Sequence, residues 1–100
     1  MEVNITSIHF QADAKLKDFI TEKLNKLIKF YDKLLSVDVF LKLENTGQVK
    51  DKIVELKAQI PGKILLASST EKSFESSFDD AQENIIRQLK KNKEKLKKAS

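Results

Sequence analysis

The spacing of apolar residues switches along this chain between two and about 3.6 residues, and this pattern constrains the fold more than any other feature. The first apolar residues are spaced by two, which predicts a strand over Val3–His9. A helical spacing follows from about residue 13 to about residue 31, and Asp13 stands where an N-cap is expected. The apolar face of this helix consists of Leu16, Phe19, Ile20, Leu24, Leu27, Ile28 and Tyr31.

Three further segments alternate apolar and polar residues and are separated by short turn sequences. The first begins at Val37 and ends before the turn sequence 45–48, and the second runs over Val54–Ile60. Pro61-Gly62 predicts a tight turn, and residues 63 to about 69 then form another short strand. Three successive strands with short connections predict an antiparallel meander.

Helical spacing returns after Ser73, a second candidate N-cap, and continues to about residue 98. The order of elements is therefore β-α-β-β-β-α. Because 100 residues can bury one core but not two, we expect a single domain over residues 1–100. We expect an α+β fold in which two helices pack on one face of a four-stranded sheet, since this arrangement buries both apolar helix faces most simply.

Residue content excludes several classes of protein. The chain has no cysteine, which excludes disulfides and thiolate metal sites. Its first ten residues do not resemble a signal peptide, and no apolar run approaches the roughly 18 to 20 residues that span a bilayer. The single histidine, His9, has no catalytic partner pattern, and the two glycines are isolated. We therefore expect a cytoplasmic protein with no catalytic or metal site, cofactor, small-molecule substrate or membrane partner.

The last helix is divided into an acidic half and a basic half. Residues 71–86 carry five acids and one lysine, whereas residues 87–98 carry seven cations and one acid. The helix dipole explains a few charges at each end, but like charges one turn apart repel, and seven cations are hard to explain in this way. The compensating charge is then expected outside the protein; a solvated, soluble tail is the alternative. The cations are Arg87, Lys90, Lys91, Lys93, Lys95, Lys97 and Lys98.

A helical projection places the cations of each helix on stripes that can flank a shared groove. Among 19 basic residues only Arg87 is an arginine. Lysine binds phosphate as a flexible point charge, whereas readout of base edges favours arginine, so we expect recognition of a nucleic-acid backbone by shape. Lys23 lies nearer the apolar edge of its helix, where its stem would pack against apolar surface. The stripes contain Arg87, Lys91 and Lys98 beside Lys95 in the last helix, and Lys15, Lys26 and Lys33 near Lys29 in the first.

Short segments over nearly the whole chain also match a known family in their order and spacing. They are Asn4-Ile5-Thr6, residues 21–27, Phe30-Tyr31-Asp32-Lys33, Leu41-Lys42, Ala67-Ser68 and, most specifically, residues 87–97. Together they resemble the ribosome hibernation-promoting factor and ribosome-associated translation inhibitor family, in its short form. The chain departs from the family at Asn84, where many members carry a lysine one turn before the arginine.

The resemblance implies a fold similar to a double-stranded RNA-binding domain and a partner in the small ribosomal subunit. The protein would bind ribosomal RNA in the channel for tRNA and mRNA, exclude both, and so inhibit translation or promote ribosome hibernation. It would be monomeric off the ribosome. By position, the resemblance implies rRNA contacts at Lys23, Lys26, Arg87, Lys91 and Lys95, with Lys29, Lys90 and Lys93 as a second group.

An alternative function uses the face of the sheet that the helices leave open. Strand parity places Phe40 there, beside Asp38 and Lys42. Phe40 either packs against Ile53 on that face or marks a surface for a partner. The alternative is therefore a protein-interaction regulator, such as a sigma-factor modulator.

Overall fold

Six elements follow one another in the order β-α-β-β-β-α in the computed structural model, which describes residues 2–44 and 51–99, with side chains over residues 2–44 and 51–92. This order confirms the predicted fold class. The turn predicted at residues 45–48 lies outside the described residues. The elements are β1 (Glu2–Ile8), α1 (Ala14–Phe30), β2 (Ser36–Leu43), β3 (Lys52–Ile60), β4 (Lys63–Glu71) and α2 (Phe74–Ala99).

The four strands form one mixed sheet in the order β1-β2-β3-β4. β1 and β2 are parallel, and α1 makes the long connection that a parallel pair requires. The pairs β2–β3 and β3–β4 are antiparallel, which confirms the meander. Ile60 pairs with Lys63, so the turn between β3 and β4 has two residues, and its Gly62 has a φ of 75° that glycine adopts without strain.

Both helices begin at the predicted caps. The Asp13 carboxylate accepts a hydrogen bond of 2.8 Å from the Leu16 N–H, and the Ser73 hydroxyl accepts one of 3.1 Å from the Ser76 N–H. α1 ends at Phe30, because Tyr31 leaves the helical conformation with a φ of −132° and a ψ of 83°. Lys33 therefore lies in the following turn, and its prediction as part of the α1 stripe is wrong.

The core lies between the helices and one face of the sheet. Phe78 of α2 is fully buried and meets Phe19 of α1 edge-to-face, with ring centroids 6.1 Å apart. Ser77 is also fully buried, and its hydroxyl donates a 2.6 Å hydrogen bond to the Lys52 carbonyl. The alternation predicted for the two central strands is confirmed by their buried residues, which are Val37, Val39, Leu41, Val54, Leu56, Ala58 and Ile60.

In the part of the chain that the structure describes, no helix covers the opposite face of the sheet. Phe40 and Ile53 are both half-buried there, and the register makes them diagonal neighbours, because Phe40 pairs with Glu55 and Lys42 pairs with Ile53. Leu66 on β4 lies on the same face with 65% of its surface exposed. Among the described helical residues, no segment is both long and apolar enough to cross a membrane.

Candidate nucleic-acid interface

α1 and α2 lie side by side and run in the same direction, with a groove between them. Three contacts advance together along both helices: Phe19 meets Phe78, Lys23 meets Asp79, and Phe30 lines a pocket with Lys90. The helices are therefore parallel, and the basic C-terminal half of α2 lies beside the C-terminal half of α1. We refer to this space as the interhelical groove.

The charge that α2 presents to the interhelical groove changes from negative to positive along the groove. Near its middle, Lys23 Nζ lies 3.4 Å from Asp79 Oδ1 and 5.4 Å above the Phe19 ring centroid. The Lys23 stem thus follows apolar surface, as expected for a lysine at the edge of an apolar helix face. Because the acidic half of α2 faces Lys23, a carboxylate of the protein itself compensates this predicted RNA contact.

Two further lysines of α1 are exposed and free of such compensation. Lys26 is four residues before Phe30 and seven after Phe19, so it lies on the side of α1 that faces α2. Lys29 lies on the outward crest of α1, opposite the buried residues. Within residues 2–44 and 51–92, neither lysine forms an ion pair with a carboxylate.

The cations of α2 divide between two sides of the helix. Lys90 lines the interhelical groove with Phe30 and Ile86. Arg87 and Lys91 are turned roughly 60° and 100° away from Lys90 around the helix axis, at about 100° per residue. They therefore point outward and toward β4, whose Ser69 hydroxyl donates a 2.7 Å hydrogen bond to the Asp80 carboxylate on that side of α2.

The expectation that the Arg87–Lys91 stripe flanks the groove shared with α1 is therefore wrong. The rotation of α2 is fixed by its buried residues Phe78, Ala81 and Ile85, and this rotation leaves Lys90 as the described cation of α2 that faces α1. Arg87 and Lys91 form a second row on the same helical side of the molecule. Both are exposed, and neither pairs with a described carboxylate.

Lys93 and Lys95 lie in α2, but their side chains are outside the described residues. Their predicted contacts with RNA stay predictions.

Asn84, where the family pattern has a lysine, has a structural role: its amide oxygen accepts a 2.8 Å hydrogen bond from Gln88, and the same Gln88 amide donates a 2.8 Å bond to the Leu66 carbonyl of β4. Asn84 and Gln88 thus fix α2 against β4, and the family pattern has a lysine in place of Asn84.

Sequence reasoning placed Phe30 in a segment that resembles the family but gave it no functional role, although it is the most exposed large apolar side chain described, at 78%. It is the last residue of α1 and projects between lysines at the basic end of the interhelical groove. The sequence indicates this exposure through the position of Phe30, about 80° from the centre of the apolar face of α1. The described residues contain no group of three or more side chains suited to hold a metal ion.

Comparison with known sequences finds one family over nearly the whole chain. A sequence model of the family described as "Sigma 54 modulation protein / S30EA ribosomal protein" matches residues 3–97. A ribosome hibernation promoting factor of Pseudomonas putida is 35% identical over 95 residues, covering 95% of this chain and 89% of that protein. A ribosome hibernation promoting factor of Escherichia coli K12 is 30% identical over 97 residues, covering 97% of this chain and 98% of that protein.

Solved structures share the fold. A ribosomal subunit interface protein from Coxiella burnetii superimposes with a TM-score of 0.83 at 19% identity, covering 93% of this chain and 98% of that one. The N-terminal domain of Thermus thermophilus Protein Y superimposes with a TM-score of 0.78 at 20% identity, covering 91% and 98%. At these identities, the likeness establishes the arrangement of helices and strands.

Proposed function

The chain belongs to the sigma 54 modulation protein / S30EA ribosomal protein family and has a ribosome-associated role in hibernation; within that role, we propose that it binds small-subunit ribosomal RNA in the tRNA and mRNA channel and excludes both ligands. It acts by occupying the channel, without a catalytic step. A factor bound to the ribosome acts in the cytoplasm.

The observation that carries the proposal is a face of exposed cations without internal partners. These cations are Lys26, Lys29, Arg87, Lys90 and Lys91, and none pairs with a carboxylate in the described part of the chain. Arg87 and Lys91 are one helical turn apart and repel each other. A phosphate backbone lying across the helical face would relieve this repulsion, which favours a polyanionic partner over a merely solvated surface.

The chemistry of these groups favours recognition of the backbone. Four of the five cations are lysines, which bind phosphate as point charges and impose little base specificity. Since the helical face carries two rows, one at the interhelical groove and one along Arg87 and Lys91, it can contact phosphates of more than one RNA segment. Recognition would then depend on how the folded RNA places its phosphates.

Salt-dependent sedimentation with purified small ribosomal subunits tests the proposal. If about five phosphates are contacted, log affinity falls against log salt with a slope of roughly −3 to −5. The double variant Arg87→Ala plus Lys91→Ala should bind more weakly and with a shallower slope, while its circular dichroism spectrum stays unchanged. Its matched control is Lys42→Ala plus Lys57→Ala, which removes the same charge from the opposite face of the sheet.

If both double variants weaken binding equally, the interaction is a non-specific attraction that depends on net charge. Binding that neither variant changes would refute the helical face as the RNA site. Competition with tRNA for the same subunits tests the location, because a factor in the channel must lose affinity when tRNA is bound.

The second candidate function, a protein-interaction regulator, has one observation in its favour. Leu66 and Ile64 are 65% and 45% exposed on the sheet face opposite the two helices, and Leu66 lines a pocket with the half-buried Phe40. A partner protein bound there would lose affinity in Leu66→Ala, whereas subunit binding through the helical face would not change. The affinities of Leu66→Ala for the partner protein and for the small subunit therefore separate the two candidate functions.

A further inference from the structure

Phe30 is an aromatic ring held in solvent at the basic end of the interhelical groove. It is 78% exposed, although α1 buries Leu27 three residues earlier. Its exposure leaves most of the ring open to a ligand. Because α1 ends at Phe30, the ring also stands at the edge of the helical layer, where it can be reached from outside.

Two pockets meet at this ring. One has a volume of about 500 Å³ and is lined by Leu27, Phe30, Tyr31, Ile86 and Lys90. The other has a volume of about 130 Å³ and is lined by Phe30, Tyr31, Asp32, Lys33, Ile60, Leu89 and Asn92. Phe30 therefore separates two recesses with apolar walls, and each recess has a lysine in its lining.

The charges around the ring are mostly positive. Lys26 precedes Phe30 by one helical turn and Lys29 is its neighbour in sequence, while Lys90 and Lys33 line the two pockets. Asp32 is the one carboxylate among the described residues of the two linings. A second copy of this chain would bring like charges together here, so the surface fits a ligand that joins a flat apolar group to negative charge.

We propose that Phe30 stacks against an unpaired nucleobase of RNA, while the surrounding lysines hold the phosphates on either side of that nucleotide. The inference rests on the proposed function and adds a base contact to a backbone-binding face. Unstacked bases in loops and bulges bind aromatic side chains in this way. Every base has a π-face, so such a contact adds affinity for single-stranded RNA without demanding one base.

The test compares a single-stranded RNA oligonucleotide with an abasic oligonucleotide that has the same number of phosphates. The parent protein should bind the oligonucleotide with bases about 10-fold more tightly, within the range for base–aromatic stacking. Phe30→Ala should lose this preference and keep its salt slope, whereas Phe30→Tyr should keep both. Lys26→Ala should weaken binding to both oligonucleotides and make the salt slope shallower.

The chain has no tryptophan, so Phe30→Trp places a single tryptophan, which can be excited selectively, at the ring position. Its fluorescence should be quenched by the oligonucleotide with bases and not by the abasic one. Leu66→Ala is the matched control, since it removes an apolar side chain of similar exposure from the other face of the sheet. It should leave the base preference intact.

A Phe30→Ala protein that keeps the base preference would overturn the inference, as would an equal loss of affinity for both oligonucleotides. Self-association of the parent that Phe30→Ala abolishes, measured by sedimentation velocity, would also overturn it, because the ring would then contact a second copy. If the parent binds small subunits with a steep salt slope yet shows no base preference, only this inference fails. If the parent binds neither subunits nor oligonucleotides, the proposed function fails with it.

Discussion

Replacing Asp79 by asparagine should increase affinity for the small subunit, because it removes the carboxylate that compensates Lys23. In the folded protein the two charged atoms are 3.4 Å apart, and the side chains are 41% and 52% exposed. An ion pair this exposed contributes about 0 to 1 kcal/mol to stability, so Asp79→Asn should unfold at nearly the parent's temperature. The freed Lys23 can then contact RNA.

The size of the gain follows from the salt dependence of phosphate contacts. One additional neutralised phosphate makes the slope of log affinity against log salt steeper by about 0.7 to 0.9. If the parent and variant lines meet near 1 M salt, the same slope difference gives a gain of about 5- to 8-fold at 0.1 M. Sedimentation with small subunits at four or more salt concentrations measures both quantities.

Two variants determine whether the gain comes from Lys23. Glu55→Gln makes the same charge change on the opposite face of the sheet and should leave the slope unchanged. Adding Lys23→Ala to Asp79→Asn should remove the gain, as a double-mutant cycle requires for coupled residues. A gain that persists without Lys23, or an affinity that rises without a steeper slope, would refute the reasoning.

Three predictions concern the fold that carries this site. Phe78→Ala empties a fully buried position and should lower the free energy of unfolding by about 3 to 5 kcal/mol, measured by urea denaturation; a loss below 1 kcal/mol would contradict its place in the core. Asp13→Ala removes the cap of α1 and should cost about 1 kcal/mol in the same assay, whereas Asp13→Asn should cost less. Gly62→Ala should lower the thermal midpoint by an amount equivalent to about 1 to 2 kcal/mol, because a φ of 75° strains residues with a Cβ, although open space surrounds the position; no change would refute the strain.

The order of elements could be predicted from the sequence because the spacing of apolar residues within each element indicates both its type and its buried face. The alternation from Val54 to Ile60 and the helical spacing after Ser73 are local patterns, and the caps at Asp13 and Ser73 are local hydrogen bonds. The lysine-rich face that we propose as the site could be predicted for the same reason. Counting charges along a helix needs no knowledge of its neighbours.

The arrangement of the site could not be predicted in this way. A helical projection shows which side of α2 is buried, but not which flank meets α1 and which meets β4. That choice places Lys90 in the interhelical groove and turns Arg87 and Lys91 away from it. The Lys23–Asp79 pair depends on the alignment of the two helices along their axes, which is a tertiary property. The exposure of Phe30 depends on the residue at which α1 ends.

The two amides between α2 and β4 bear on whether copies of this protein stay apart. An outermost strand with free carbonyl groups offers a template on which another chain can add a strand. Gln88 occupies the Leu66 carbonyl, and Asn84 holds the Gln88 amide in place, so the template is interrupted near its centre. We therefore expect the helix turn that carries Arg87 to hinder the addition of a strand at this edge, and a lysine at residue 84 would remove the hydrogen bond that holds the Gln88 amide.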